Sequence, residues 1–202
     1  MPPESPLRRR HLDPDPLRQF ESWFGRARTA GVSVPEAMAV ATASGDGAPS
    51  VRMVLLRSVD ERGFVFNTNY ESRKARDLAE NPRAALLFYW HELGRQIRIE
   101  GDVARVEPGE ADIYFATRPR GSRLSAWASR QSEVVGARAE LEAQWRAADE
   151  RYAGDVPRPP FWGGLRVTPA SYEFWQHHED RLHDRFRYRR EAGAWVIDRL
   201  AP

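Results

Sequence analysis

Apolar, β-branched segments follow one another along this chain at intervals too short to hold crossover helices, and that spacing constrains the fold more than any other feature. Runs from Ala37 to Ser44, Ser50 to Ser58 and Phe64 to Thr68 are separated only by SGDGAPS and by Asp60-Glu61-Arg62-Gly63. Parallel neighbours need a dozen or more connecting residues, so these strands must pair antiparallel. The nearly continuous apolar run Arg83 to His91 turns at Glu92-Leu93-Gly94 into Gln96 to Val106, where Ile97 and Ile99 alternate with Arg98 and Glu100 and Gly101 marks a bulge. The last forty residues read as four more strands: Leu165 to Thr168, Ser171 to Gln176, His183 to Arg190 and Trp195 to Leu200. Helical patterns interrupt this series. Asp13-Pro14-Asp15-Pro16 opens a helix carrying Leu17, Phe20, Trp23, Phe24 and Ala27, and Gly31 stops it. Others start at Ser72 and Pro108, span Ser122 to Ser129, and run from Ala137 to Tyr152. The pattern predicts a mainly β fold, a small barrel with peripheral helices, and excludes a doubly wound sheet.

Length and composition allow one domain, residues 13–202, behind a Pro- and Arg-rich segment, residues 1–12, read as a mobile arm. The chain has no cysteine, so thiol catalysis, thiolate metal sites and disulfides are excluded, and any redox chemistry must come from a bound cofactor. A net charge of +2 implies no general affinity for nucleic acid. No apolar run reaches membrane-spanning length and no signal peptide is visible, which makes the cytoplasm the expected compartment.

Charge placement marks two stretches. Arg73 and Lys74 sit in the first turn of the helix that Ser72 would cap, where two cations oppose the helix dipole. Lys74 is also the single lysine among 31 basic residues. A phosphate on the helix end would explain both facts, because backbone N–H groups, a hydroxyl, a guanidinium and an ammonium together suit a dianion. A solvated surface turn is the other reading. In the second stretch, Arg181-Leu182-His183-Asp184-Arg185, strand alternation would project Arg181, His183 and Arg185 from one face, with Leu182, Asp184 and Phe186 opposite. Two guanidiniums beside an imidazole suit an anionic aromatic substrate and favour neutral histidine. An exposed charged face, continued by Arg187 and Arg189, is the alternative. A metal at His177-His178 with His183 is not expected, since adjacent strand residues face opposite ways.

Taken together, the motifs resemble the pyridoxine/pyridoxamine 5′-phosphate oxidase family. They are RMVLLR at 52–57, NTNYESRKA at 67–75, NPRAALLFYW at 81–90, GRQIRIEG at 94–101 and YFATRPRGSRLSAWASRQS at 114–132. FWGG at 161–164, EFWQ at 173–176, RLHDR at 181–185 and the terminal RLAP follow in order. The resemblance runs from Asp13 to Pro202 and implies a homodimeric split β-barrel with FMN at the subunit interface. It implies oxidation of pyridoxamine or pyridoxine 5′-phosphate to pyridoxal 5′-phosphate, with oxygen converted to hydrogen peroxide. FMN contacts are implied for Arg52, Met53, Val54, Leu55, Asn67, Thr68, Ser72, Arg73, Lys74, Gln96, Gln131, Ser132, Trp175 and Arg185. Substrate contacts are implied for Arg57, Tyr114, Arg118, Ser122, Arg181, Leu182 and His183, with Arg181, His183 and Arg185 closest to the chemistry.

The chain departs from the family pattern at three places. Arg57 stands where lysine is usual, His177-His178 where a glycine follows EFWQ, and the arm lacks an Arg-x-x-Tyr segment. These departures leave a flavin oxidase acting on another small aromatic molecule as the alternative, with a non-catalytic binder of FMN or pyridoxal phosphate behind it. Strict alternation also puts Arg52 and Arg57 on opposite strand faces, so both can reach one ligand only through a bulge or a strand end.

Overall fold

The fold is organised by its longest strand. The computed structural model describes residues 6–202, and in it the two C-terminal runs expected as separate strands are one strand, β7 (Trp162–Gln176). Eight others surround it: β1 (Ala37–Ala43), β2 (Pro49–Leu55), β3 (Ser58–Asp60), β4 (Gly63–Asn69), β5 (Arg83–Trp90), β6 (Arg95–Arg105), β8 (Asp184–Glu191) and β9 (Ala194–Leu200). All pairings are antiparallel, in the order β2-β1-β5-β6-β7-β4-β3, with β8 and β9 branching from β7. One edge of β7 runs along β6. The other edge pairs with β4 over residues 162–167 and with β8 over 171–176.

Pro169 lies between those two partners, where a residue without an N–H costs no ladder bond. The register shifts at Glu100/Gly101, as expected there, although the extra residue is Ala170 on β7. Two glycines admit the bend. A Cβ on Gly101 would lie 2.0 Å from Thr168 O, and one on Gly63, whose φ is +129°, would lie 2.1 Å from Val167 O.

The run from Ser50 to Ser58 is not one strand. It breaks at Leu56-Arg57, where Arg57 N–H donates to Val65 O across 2.8 Å. Arg57 therefore occupies a strand end and escapes the alternation that opposed it to Arg52.

Among the described residues five α-helices flank the sheet: α1 (Pro16–Thr29), α2 (Arg73–Glu80), α3 (Pro108–Ala116), α4 (Arg120–Ala128) and α5 (Arg138–Arg151). Asp15 caps α1 through Leu17 N–H, with Pro16 at the first position. Its buried face of Phe20, Trp23 and Ala27 closes the open side of the sheet. Phe20 meets Phe64 edge-on at 4.8 Å and Phe88 at 5.2 Å, while Trp23 meets Phe174 at 5.2 Å. The segment read as a mobile arm also packs: Leu7 and Leu12 are buried and Arg9–His11 forms a 3-10 turn, while residues 1–5 lie outside the described part. Among the described residues, no helix is long and apolar enough to cross a membrane.

Gly101→Ala should cost about 2–4 kcal/mol, because the clash is with backbone and cannot be relieved by a side-chain rotation. Gly109→Ala, in the first turn of α3 with open space around it, should change stability by less than about 1 kcal/mol. Urea unfolding of both variants checks the contrast.

Candidate active site

One cleft of about 760 Å³ gathers side chains that are far apart in the chain. Strand β2 and its continuation contribute Arg52, Met53, Val54, Leu55 and Arg57; β4 contributes Asn67 and Thr68; the start of α2 contributes Arg73 and Lys74. Tyr114, Arg118, Gln131 and Ser132, which the resemblance implies as ligand contacts, also line it. Trp162, Ser125, Ala126 and Ser129 line it as well; they fall inside the quoted motifs, but the sequence reading gave them no contact. Ser122 does not line the cleft; it lies one turn before Ser125 on α4.

Lys74 is the electrostatic centre of one end. It is only 7% exposed, and its ammonium donates to Gln131 Oε1 at 2.9 Å, Thr68 Oγ1 at 3.0 Å and Ser72 Oγ at 3.1 Å. All three partners are neutral, and among the described residues no carboxylate lies within ion-pair distance of it. Burial, with Arg52 nearby, pushes its pKa down to about 8. Arg52 is turned onto the ladder, donating to Thr42 Oγ1 at 2.8 Å and Ser50 Oγ at 2.6 Å, with Asp77 Oδ2 at 3.8 Å. Ser72 holds the N-cap position without capping through its side chain. It is fully buried, and its hydroxyl donates to Asn69 O at 2.7 Å. Ser132 has φ +78°, an uncommon conformation for a residue with a Cβ, and its hydroxyl accepts from Arg73 N–H at 3.2 Å.

The other end is cationic and aromatic. The Arg118 guanidinium lies 4.5 Å from the Trp162 ring centre and 5.4 Å from Phe115, Tyr114 stacks on Trp162 at 6.2 Å, and Arg57 lies over Tyr114 at 5.5 Å. Arg118 is half-buried, and its Nη1 is enclosed without a hydrogen-bond partner. Burial lowers its pKa and Arg57 adds to the effect, against an opposing contribution from Tyr114.

Gln96, Trp175 and Arg185 do not line this cleft. They are cross-strand neighbours on β6, β7 and β8, and the His183 ring lies 4.6 Å from Trp175. The expectation that Arg181, His183 and Arg185 share a strand face fails. The strand begins only at Asp184; Arg181 ends a 3-10 turn with φ +60°, and Leu182 is 70% exposed. Alternation holds from Asp184 onward, with Asp184, Phe186 and Tyr188 buried and Arg185, Arg187 and Arg189 outward. Arg185 is held by Glu173 Oε1 at 2.8 Å and Ala201 O at 2.9 Å. Arg187 and Arg189 both pair with Asp198, as the alternative of a charged face requires. Among the described residues no group of three His, Asp or Glu side chains is placed to hold a metal.

Comparison with known proteins shows the family. A family model described as pyridoxamine 5′-phosphate oxidase matches residues 26–152, and one described as the pyridoxine 5′-phosphate oxidase C-terminal dimerisation region matches residues 162–202. A pyridoxine/pyridoxamine 5′-phosphate oxidase of Burkholderia multivorans is 58% identical over 192 residues, covering 94% of this chain and 90% of that one. The crystal structure of PhzG from Burkholderia lata 383, in complex with tetrahydrophenazine-1-carboxylic acid, superposes with a TM-score of 0.89 at 36% identity over 94% of each chain. An FMN-binding protein of Nostoc punctiforme, related to pyridoxamine 5′-phosphate oxidase, shares the fold with a TM-score of 0.73 at 17% identity, over 95% of this chain and 100% of that one. The chain belongs to the pyridoxamine 5′-phosphate oxidase family, as an FMN-dependent oxidoreductase built on a homodimeric split β-barrel.

Proposed function

We propose that the chain oxidises pyridoxamine or pyridoxine 5′-phosphate to pyridoxal 5′-phosphate, with oxygen as the final acceptor. One observation carries this reading. A single cleft holds two desolvated cations, Lys74 at one end and Arg118 at the other, neither with a carboxylate partner among the described residues. A charge taken out of water without a counterion is costly, so each end calls for an anion. Two phosphates, one from the cofactor and one from the substrate, meet that demand. A non-catalytic binder would need only one anion site.

The residues present fit FMN. Arg73 and Lys74 would hold its phosphate at the start of α2, and Thr68, Gln131 and Ser132 fix the ammonium and the backbone around it. When bound, FMN supplies a two-electron acceptor that oxygen regenerates. Arg57, Tyr114 and Arg118 would hold the substrate phosphate, and their stacked rings keep the guanidiniums from folding away. Fixing the substrate by its phosphate orients the carbon to be oxidised. Gln96, Trp175, His183 and Arg185 stand apart from the cleft within one subunit. In our reading the second subunit brings its copy of this group to the cleft, consistent with a dimerisation region over 162–202.

A second reading is oxidation of another small aromatic molecule. The likeness to PhzG at 36% identity favours it, as do Arg57 and His177-His178. The 58% identity to pyridoxine/pyridoxamine 5′-phosphate oxidases favours the first. Anaerobic mixing of the FMN-loaded protein with pyridoxamine 5′-phosphate should bleach the flavin band, and oxygen should restore it. Bleaching by tetrahydrophenazine-1-carboxylic acid alone would establish the second reading instead.

Lys74→Ala should weaken FMN binding by roughly tenfold to a hundredfold, the loss of one charge-assisted contact of about 1.5–3 kcal/mol. FMN affinity should also fall as pH rises through about 8, because the empty cleft then loses the ammonium that binds phosphate. The fall approaches tenfold per pH unit above that point at most. Over the same window the empty protein gains stability, since the unfolded chain binds more protons there. Fluorescence titration of FMN from about pH 7 to about pH 10, with Lys74→Arg as a flat reference, checks the slope.

Arg57→Lys should keep turnover of pyridoxamine 5′-phosphate within about tenfold, because either cation meets a phosphate although only Arg offers a planar fork. Steady-state kinetics on both phosphorylated vitamers checks it.

A further inference from the structure

The loop from His177 to His183 is anchored by a carboxylate that alternation alone would have left without a task. Asp184 is 5% exposed. Its Oδ2 accepts from Leu7 N–H at 2.8 Å and lies 2.8 Å from His178 Nε2, a contact bent away from the hydrogen-bond line. Its Oδ1 accepts from Arg199 Nη1 at 2.6 Å, and Arg199 Nη2 donates to Leu7 O at 2.9 Å. One buried carboxylate thus ties the N-terminal segment, the last strand and the histidine loop together.

His178 then acts on His183. Its backbone N–H donates to His183 Nδ1 at 3.1 Å. A ring nitrogen that accepts a hydrogen bond carries no proton, so a neutral His183 must carry its proton on Nε2. The turn between the two residues includes consecutive left-handed residues, Asp180 at φ +54° and Arg181 at φ +60°. Such a turn persists only where its surroundings over-determine it, and the His178 contact to Asp184 is the anchor at its start.

We propose that Asp184 and His178 are positioning residues which hold His183 as a neutral imidazole protonated on Nε2, so that it presents a hydrogen-bond donor to the bound substrate and not a base. Desolvation of the ring, with His177, Arg181 and His178 around it, lowers the His183 pKa and favours the same neutral form. The inference rests on the proposed function for the identity of the substrate and for the second subunit's bringing His183 to the cleft; the tautomer itself rests on neither. No proton is transferred by His183 in this role.

The test is the tautomer itself, read without substrate. FMN-loaded protein labelled with ¹⁵N histidine is examined by long-range ¹H–¹⁵N correlation at about pH 7.5, about a unit above the ordinary histidine pKa, with His183 assigned by the signals lost in His183→Asn. The parent should show an unprotonated Nδ1 and a protonated Nε2. His178→Ala and Asp184→Asn should each show a mixture of both tautomers. In the same preparations, flavin reduction at saturating pyridoxamine 5′-phosphate should slow about tenfold, the size expected for a small misplacement at the reacting centre. A parent His183 protonated on Nδ1, or on both nitrogens, overturns the inference even if a variant fails to fold. Unchanged tautomers in two folded variants overturn it as well. If the tautomer behaves as expected while pyridoxamine 5′-phosphate leaves the flavin oxidised, the substrate reading fails and the positioning role stands.

Discussion

The molecule depends on the backbone hydrogen bonds of a single strand. Trp162–Gln176 is too long for either of its outer neighbours, and its buried N–H and C=O groups still require partners. β6 runs along one edge, and the other is divided between β4 and β8. The division occurs at Val167–Pro169, where Gly63 and Gly101 let two strands come within contact of the β7 backbone. Bending there turns a flat ladder into a half-barrel, and the concave side is filled by Phe20, Phe64, Phe88 and Phe174.

Closure of the barrel decides where charge can sit. The end of β4 and the start of α2 converge, so Lys74 is buried among hydroxyls and an amide rather than exposed on a surface turn. The packing of α3 against β7 brings Tyr114 and Arg118 onto Trp162. Both cations are desolvated before any ligand arrives. Their affinity for anions is therefore built into the fold, because the cost of removing them from water is met during folding and not at binding. The same logic governs Asp184 and Glu173, buried carboxylates that are engaged by cations. Glu173 sits between Arg185 at 2.8 Å and Arg98 at 2.9 Å, and Asp184 between Leu7, His178 and Arg199. Buried acids with partners organise structure here, and desolvated bases without acidic partners line the cleft.

Much of this is legible in order along the chain. Short strands with tight turns exclude a parallel sheet, and the conflict of Arg73 and Lys74 with the helix dipole locates one end of the cleft. The errors have specific causes. Ser50 to Ser58 looks like one strand because Leu56-Arg57 carries no turn residue; the break comes from Arg57 N–H pairing with Val65. Pro169 reads as a strand boundary because a proline removes a donor, but its place between β4 and β8 makes the donor unnecessary. Arg181 to His183 reads as strand because a left-handed turn through Asp180 and Arg181 has no glycine to announce it. Ser125, Ser129 and Trp162 lie inside the quoted motifs, but neither charge nor spacing assigns them to the cleft.

The sequence by itself determined most of the elements, the antiparallel class, the pair of cations at the start of α2 and the family, because each of these is a matter of local spacing or of motifs in order. Only the tertiary structure decided which residues meet. It joined Arg52, Lys74, Arg118 and Gln131 in one cleft and set Trp175 and Arg185 apart from it. It also made Asp184, which alternation shows only as facing away from Arg185, the anchor of the histidine loop. The physical reason is that desolvation and hydrogen-bond satisfaction depend on every strand that closes over a group, and neighbours along the chain carry no record of those strands.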